Sequence, residues 1–151
     1  MAAVPEGLEQ HLEQVRAYRA ELRESMAAVR TALSNTSAGG LSRQRVHAAL
    51  VELARDLAEH VDLAERPDGL FQGVRAVPRL ASAVDQLTAE HPTLLTDLQD
   101  YIGLLEGSDG IADVPAFRDE VARLLDRLVE HRRRGDDLIY EAFAVDIGGQ
   151  D

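Results

Sequence analysis

Apolar residues recur every three or four positions along four long stretches of this chain. Such spacing places apolar side chains along one side of an α-helix, and that side must be buried against a partner. The pattern predicts helices at residues 6–34, 42–66, 78–106 and 114–143. The breaks between them are short and rich in glycine, proline and serine, and no useful length alternates as a strand would. We therefore predict an all-α fold, an up-down-up-down antiparallel four-helix bundle.

Several residues mark where these helices begin, end or bend. Pro5 suits the first turn of a helix, where its missing N–H costs nothing, and Ser42 is the predicted N-cap of the second helix. Pro92 lies inside the third pattern and is expected to kink or split that helix. Between residues 70 and 77 the pattern is weak, so a short helical turn and an irregular crossover both remain open. The residues after 143 are expected to form a short flexible C-terminal tail.

Composition narrows the kinds of protein that this chain can be. Its length of 151 residues predicts one domain spanning residues 1–151. Because 45% of the residues are hydrophobic and only 4% are aromatic, we expect a core of Leu, Val and Ala. Having no cysteine, it cannot use disulfides, zinc–thiolate sites or thiol catalysis. The net charge of −11 argues against nucleic acid or an anionic membrane as a partner. No signal peptide or membrane-spanning run is recognisable, so a cytoplasmic location is expected.

Three histidines interrupt the apolar sides of three different predicted helices. His60, His91 and His131 each follow a glutamate, and each occupies a position where the next apolar residue belongs. In an antiparallel helix pair, residues equidistant from the connecting turn lie at the same height. His91 and His131 are centred on the break at 107–115, and His60 and His91 on the connector at 66–78. All three are therefore predicted to point inward at one level of the bundle.

Two carboxylates and a fourth histidine join this predicted cluster. Asp136 follows His131 by five residues and Glu65 follows His60 by five, so both acids lie on the same side of the histidine level. His11 lies on the inner stripe of the first helix, about one helical turn from that level. Neutral imidazoles are costly to bury unpaired, and a divalent metal ion satisfies several at once. Taken singly, each histidine could instead be a hydrogen-bonded core residue, and each acid an ordinary solvated one.

Three segments of the chain resemble the hemerythrin-like, or HHE cation-binding, family. They are RVHAALVELARDLAEHVDLAE, LTAEHPTLLTDL and LLDRLVEHRRRGDDLIYEAF, which together span most of the chain. The resemblance implies a four-helix bundle with a non-haem di-iron centre at its middle. It also implies ligands from every helix: a histidine from the first, a histidine and a carboxylate from the second and fourth, and two histidines from the third.

The family's ligand pattern carries over to this chain only in part. His131 and Asp136 match the fourth-helix pair, whereas Ala64 stands where the second-helix carboxylate is expected and Leu95 where the second histidine of the third helix is expected. The ligands implied by the resemblance are His60, His91, His131, Asp136, Glu65 and His11. A reduced di-iron centre, a single metal ion and a bundle that has lost its metal all remain open.

Two functional interpretations follow from this pattern. The first is a hemerythrin-like non-haem iron protein, with manganese or zinc as alternative metals, that binds or senses dioxygen, nitric oxide or peroxide, or handles iron. The second is a metal-free helical bundle that acts as an interaction or regulatory module, with a protein partner or as a homodimer. No Glu-x-x-His motif, nucleophile motif or glycine-rich phosphate loop occurs, which favours a binding or sensor protein over an enzyme. Arg132, Arg133 and Arg134 are expected to fan around their helix as a solvated face.

Overall fold

A computed structural model of the chain describes residues 8–34, 36–37, 40–67 and 69–142. Its elements, in chain order, are α1 (Leu8–Ser34), β1 (Thr36–Ser37), β2 (Gly40–Leu41), α2 (Arg43–Glu65), α3 (Leu70–Arg75), a 3-10 turn (Pro78–Leu80), α4 (Ala81–Glu106) and α5 (Val114–Tyr140). The two strands pair antiparallel over two residues each, in the connection between the first two helices. Helices make up nearly all of the described residues, so the all-α class predicted from the sequence is confirmed.

The helix boundaries follow the predicted ones with differences at the ends. Ser42 caps α2 as expected, accepting a hydrogen bond from the backbone N–H of Arg45. α4 runs unbroken past Pro92, so the helix does not split there. The segment after residue 69, where the apolar pattern is weak, forms the short helix α3. Of the two structures left open there, it is the helical turn and not the irregular crossover. Pro5, residues 6–7 and the predicted C-terminal tail lie outside the described residues.

The four long helices of the described chain pack side by side around a common core. α1 packs against α2, α2 against α4, α4 against α5, and α5 against α1. The short α3 contacts α2, α4 and α5. None of the helices in the described ranges is long and apolar enough to cross a membrane.

The apolar core has two parts, and the three predicted inward histidines lie between them. The larger part reaches Leu57, Leu94 and Leu128, each three residues from one of those histidines. The smaller part lies on the other side and includes Leu87 of α4 and Leu138 of α5, with side chains from α3 packed against it. A polar layer thus lies between two apolar ones, which shields His91 and His131 from bulk water.

Candidate metal centre

The three seam histidines meet inside the bundle, each brought there by a different helix. One ring nitrogen from each of His60 (α2), His91 (α4) and His131 (α5) lies within 4.8 Å of the other two. The ring centroids of His91 and His131 are 4.9 Å apart, and that of His60 lies 6.2 and 6.4 Å from them. His91 is 1% exposed and His131 4%, while His60 is partly buried. The structure therefore brings together the residues that helix spacing places at one level.

His91 is the most isolated polar group in this cluster. Both of its ring nitrogens are buried without a hydrogen-bond partner among the described residues. Burial lowers the pKa of His91 to about 4, helped by the nearby His131 and His60. The ring is therefore neutral near pH 7, with a lone pair and a donor that nothing satisfies. Burying a polar group in this state costs about 1–3 kcal/mol of folding free energy. A ligand bound to the ring would remove this cost.

His60 is neutral for a similar reason. Burial lowers its pKa to about 4, and the electrostatic effects of His131, Arg19 and Arg132 act in the same direction. The neutral form is the one that binds a metal ion, because the proton and the metal compete for the same nitrogen. His60 and His91 therefore need no deprotonation step to act as ligands at neutral pH.

His131 is held in place by Glu90 from the neighbouring helix. Its Nδ1 lies 2.8 Å from Glu90 Oε1, and Arg134 Nη2 donates to the same oxygen at 2.7 Å. Burial raises the pKa of Glu90, but the hydrogen bonds from Arg134 and His131 outweigh this, so the pKa is lowered overall. An ionised carboxylate only accepts, so Nδ1 of His131 donates this hydrogen bond, which leaves Nε2 as the nitrogen available to a metal ion. Carboxylate partners of this kind orient metal-binding histidines.

Sequence reasoning missed Glu90, although a signal was present. Glu90 directly precedes His91, in one of the three Glu-His pairs of the chain. Its hydrogen bond goes to His131, which lies on a different helix. The pair pattern marks the residue, but only the packing of α4 against α5 shows which histidine it serves.

The two predicted carboxylate ligands lie beside the histidine cluster in different ways. Glu65 Oε2 is 3.8 Å from Nδ1 of His91, with the Glu65 side chain 40% exposed. Asp136 forms an ion pair with Arg19, at 2.9 Å between Oδ1 and Nη2. Burial raises the pKa of Asp136, although Arg19 and Arg132 act to lower it. Of these two acids, Glu65 is therefore the one that approaches a cluster histidine, and Asp136 is engaged by an arginine.

The remaining two histidines do not add to the described cluster. His11 belongs to α1, but its side chain lies outside the described part of the structure. Nε2 of His47, near the start of α2, lies 3.0 Å from Oε2 of the exposed Glu106. His47 is thus a surface residue that connects α2 to α4.

A cavity of about 40 Å³ adjoins His60 and His131. Its walls are formed by Arg19, Leu22, His60, Leu63, Ala64, Phe71, His131, Arg132, Gly135, Asp136 and Ile139. One water molecule needs roughly 10–15 Å³ on this measure, so a ligand of a few atoms fits. Gly135 lets the Phe71 ring close one wall, because a Cβ at residue 135 would lie only 3.3 Å from Phe71 Cζ.

The chemistry of these side chains fits a divalent metal ion. Metal–nitrogen bonds are about 2.1 Å long, so two nitrogens on one ion lie at most about 4.2 Å apart. The three ring nitrogens, within 4.8 Å of one another, would need to shift by less than about 1 Å. Imidazole nitrogens with a carboxylate oxygen nearby suit iron, manganese or zinc.

Comparison with known proteins agrees with this geometry. The family model described as the hemerythrin HHE cation binding domain matches residues 8–143. The chain is also 30% identical, over 112 residues, to a Legionella pneumophila (strain Lens) protein named glucose-6-phosphate isomerase. That match covers 73% of this chain but 21% of the other protein, so the chain spans about a fifth of that relative's length. No solved structure matches the chain significantly. Because the family model covers nearly all of its residues, the chain belongs to the hemerythrin HHE cation-binding domain family.

Proposed function

We propose that this chain is a hemerythrin-like non-haem metal protein in which His60, His91 and His131 hold a divalent ion, with iron the metal expected from the family. The observation that carries the proposal is the buried His91 ring, neutral and without a hydrogen-bond partner, between two other histidines. One ion between the three rings would satisfy all of them at once. Glu65 is the carboxylate that would complete the set.

A single ion is favoured over an iron pair. The described side chains supply one group of three histidines, and Leu95 and Ala64 occupy positions where the family pattern has two further ligands. Asp136, the best sequence match to a family carboxylate, is paired with Arg19. We also propose the up-down-up-down course for the four long helices, because it explains why histidines equidistant from the connecting turns meet.

The function that follows is binding or sensing of a small ligand such as dioxygen, nitric oxide or peroxide, or iron handling, in the cytoplasm. The ion would supply an open coordination position beside the cavity. The chain supplies the rest: Leu22, Phe71 and Ile139 form the apolar part of the cavity wall, and Glu90 would hold His131 in one orientation. The isomerase activity named for the Legionella protein has no part in this proposal, because the match spans about a fifth of that protein.

Metal content tests the proposal directly. Protein purified without oxygen and reconstituted with ferrous, manganous or zinc ions should bind close to one ion per chain, measured by elemental analysis. His91→Ala should lose that ion, and the matched control His47→Ala should keep it, because His47 pairs with Glu106 at the surface. Circular dichroism would establish that both variants remain helical.

Two results would overturn the proposal. Wild-type protein that binds none of the three metals after reconstitution would favour the metal-free interaction module instead. Unchanged metal content in a variant with alanine at residues 60, 91 and 131 would place the ion elsewhere.

A further inference from the structure

Two arginines from neighbouring helices form part of the cavity wall, and both have unsatisfied nitrogens. Arg19 of α1 and Arg132 of α5 line the cavity beside His60 and His131. Nε of Arg19 and Nη1 of Arg132 are buried without a hydrogen-bond partner among the described residues. A guanidinium stays charged in proteins, so it cannot escape this cost by losing its proton. A negatively charged acceptor would satisfy both.

The side chains that line the cavity carry an excess of one positive charge. Its lining holds two guanidinium groups and one carboxylate, that of Asp136, which pairs with Arg19. Arg23 lies close enough to Arg132 to repel it electrostatically. The local charge is thus positive, although the whole chain carries a net −11. One monovalent anion would balance it.

The neighbouring arginines show that Arg132 is a special case. Arg133 pairs with Glu130 and Asp137 at the surface. Arg134 donates to Glu90. The sequence suggested one solvated face for all three residues, but Arg132 lines the cavity instead, and none of the described carboxylates lies within hydrogen-bond distance of it.

We propose that the cavity beside His60 and His131 binds a small planar oxyanion through Arg132 and Arg19. A guanidinium offers parallel N–H donors that match two oxygens of such an anion, as in formate or nitrite. The cavity volume of about 40 Å³ restricts the anion to a few atoms. The apolar residues of the wall lower the local dielectric constant and so strengthen the attraction. The inference names the ligand class of the proposed metal centre, and to that extent rests on the proposed function.

Formate binding to the full chain tests the site with and without metal. Sodium formate and sodium nitrite would be titrated into metal-free and metal-loaded protein by calorimetry, at constant ionic strength, with sodium chloride as the reference. We expect Arg132→Gln to weaken formate binding at least tenfold. Arg132→Lys keeps the charge but loses the paired donors, so its affinity for formate should lie between those of wild type and Arg132→Gln. The matched control Arg133→Gln removes the same charge one residue away and should stay within twofold of wild type.

The outcomes separate this inference from the proposed function. If wild type binds no metal but its formate affinity depends on Arg132, the metal proposal fails and the anion site stands. If metal binds normally while formate does not bind, or binds equally in Arg132→Gln and Arg133→Gln, the anion site is wrong. Chloride binding as tight as formate binding would also contradict a planar oxyanion.

Discussion

Glu90 controls how one histidine faces the cluster. Replacing it by glutamine removes the charge that accepts from both His131 and Arg134. The Nδ1 proton of His131 is then less firmly held, so the ring spends time in the wrong tautomer or orientation. We expect metal affinity, measured by competition with a chelator, to fall about 10- to 100-fold.

The control for this variant is Glu130→Gln. Glu130 also precedes a histidine, but it is exposed and pairs with Arg133. The metal affinity of Glu130→Gln should therefore equal that of wild type. Nitrogen chemical shifts of His131 in metal-free Glu90→Gln should also show a mixed tautomer. An unchanged shift together with unchanged affinity would mean that Glu90 does not position the ring.

Acid should destabilise the metal-free protein through the buried histidines. The pKa of His60 and that of His91 are lowered from 6.5 to about 4, so the unfolded chain binds more protons between these values. The free energy of unfolding should therefore be unaffected by these groups above pH 6.5 and fall as pH drops from 6.5 to 4, by on the order of 3 kcal/mol for each histidine. Urea unfolding in the presence of a chelator at several pH values would measure this. A His60→Gln variant should show a shallower fall, and equal slopes in the two proteins would contradict the assignment.

At the scale of elements, the turn into α3 depends on a residue without a side chain. A Cβ at Gly69 would lie 2.7 Å from the backbone oxygen of Leu63 and 2.9 Å from that of Arg66. Backbone atoms cannot move aside cheaply, so Gly69→Ala should destabilise the protein by about 1–3 kcal/mol in urea unfolding.

Gly103→Ala is the matched comparison within a long helix. A Cβ at Gly103 meets nothing within 4 Å, and the residue is exposed in α4. Alanine there restricts the unfolded chain and should stabilise by about 0.5–1 kcal/mol. Similar effects of the two substitutions would show that the close approach at Gly69 is not what limits that turn.

At the scale of the whole molecule, metal and fold should stabilise each other. An ion that binds only the folded chain adds about 2.7 kcal/mol when its free concentration is 100 times Kd. The midpoint of thermal unfolding should therefore rise with free metal in wild type and in His47→Ala, and stay constant in His91→Ala. A rise of equal size in all three proteins would indicate non-specific binding to the acidic surface.

Much of this architecture can be predicted from the sequence, because its determinants are periodic. The spacing of apolar residues predicts the four long helices, and equal distances from the breaks place His60, His91 and His131 at one level. The roles of Glu90 and Arg132 could not be predicted in the same way. Both lie off the apolar stripes, and whether such a side chain turns inward depends on a partner from another helix that no local pattern reveals.

The three histidines come from three different helices, and this has a kinetic consequence. Fraying of any one helix end leaves His60, His91 and His131 in place, since each lies three residues from a buried leucine of the core. An ion held by all three should therefore leave the protein no faster than the helices themselves come apart. The rate at which the ion dissociates would then report the rate at which the bundle opens. It should be slow in folded protein and faster after any substitution that loosens the packing of α2, α4 and α5.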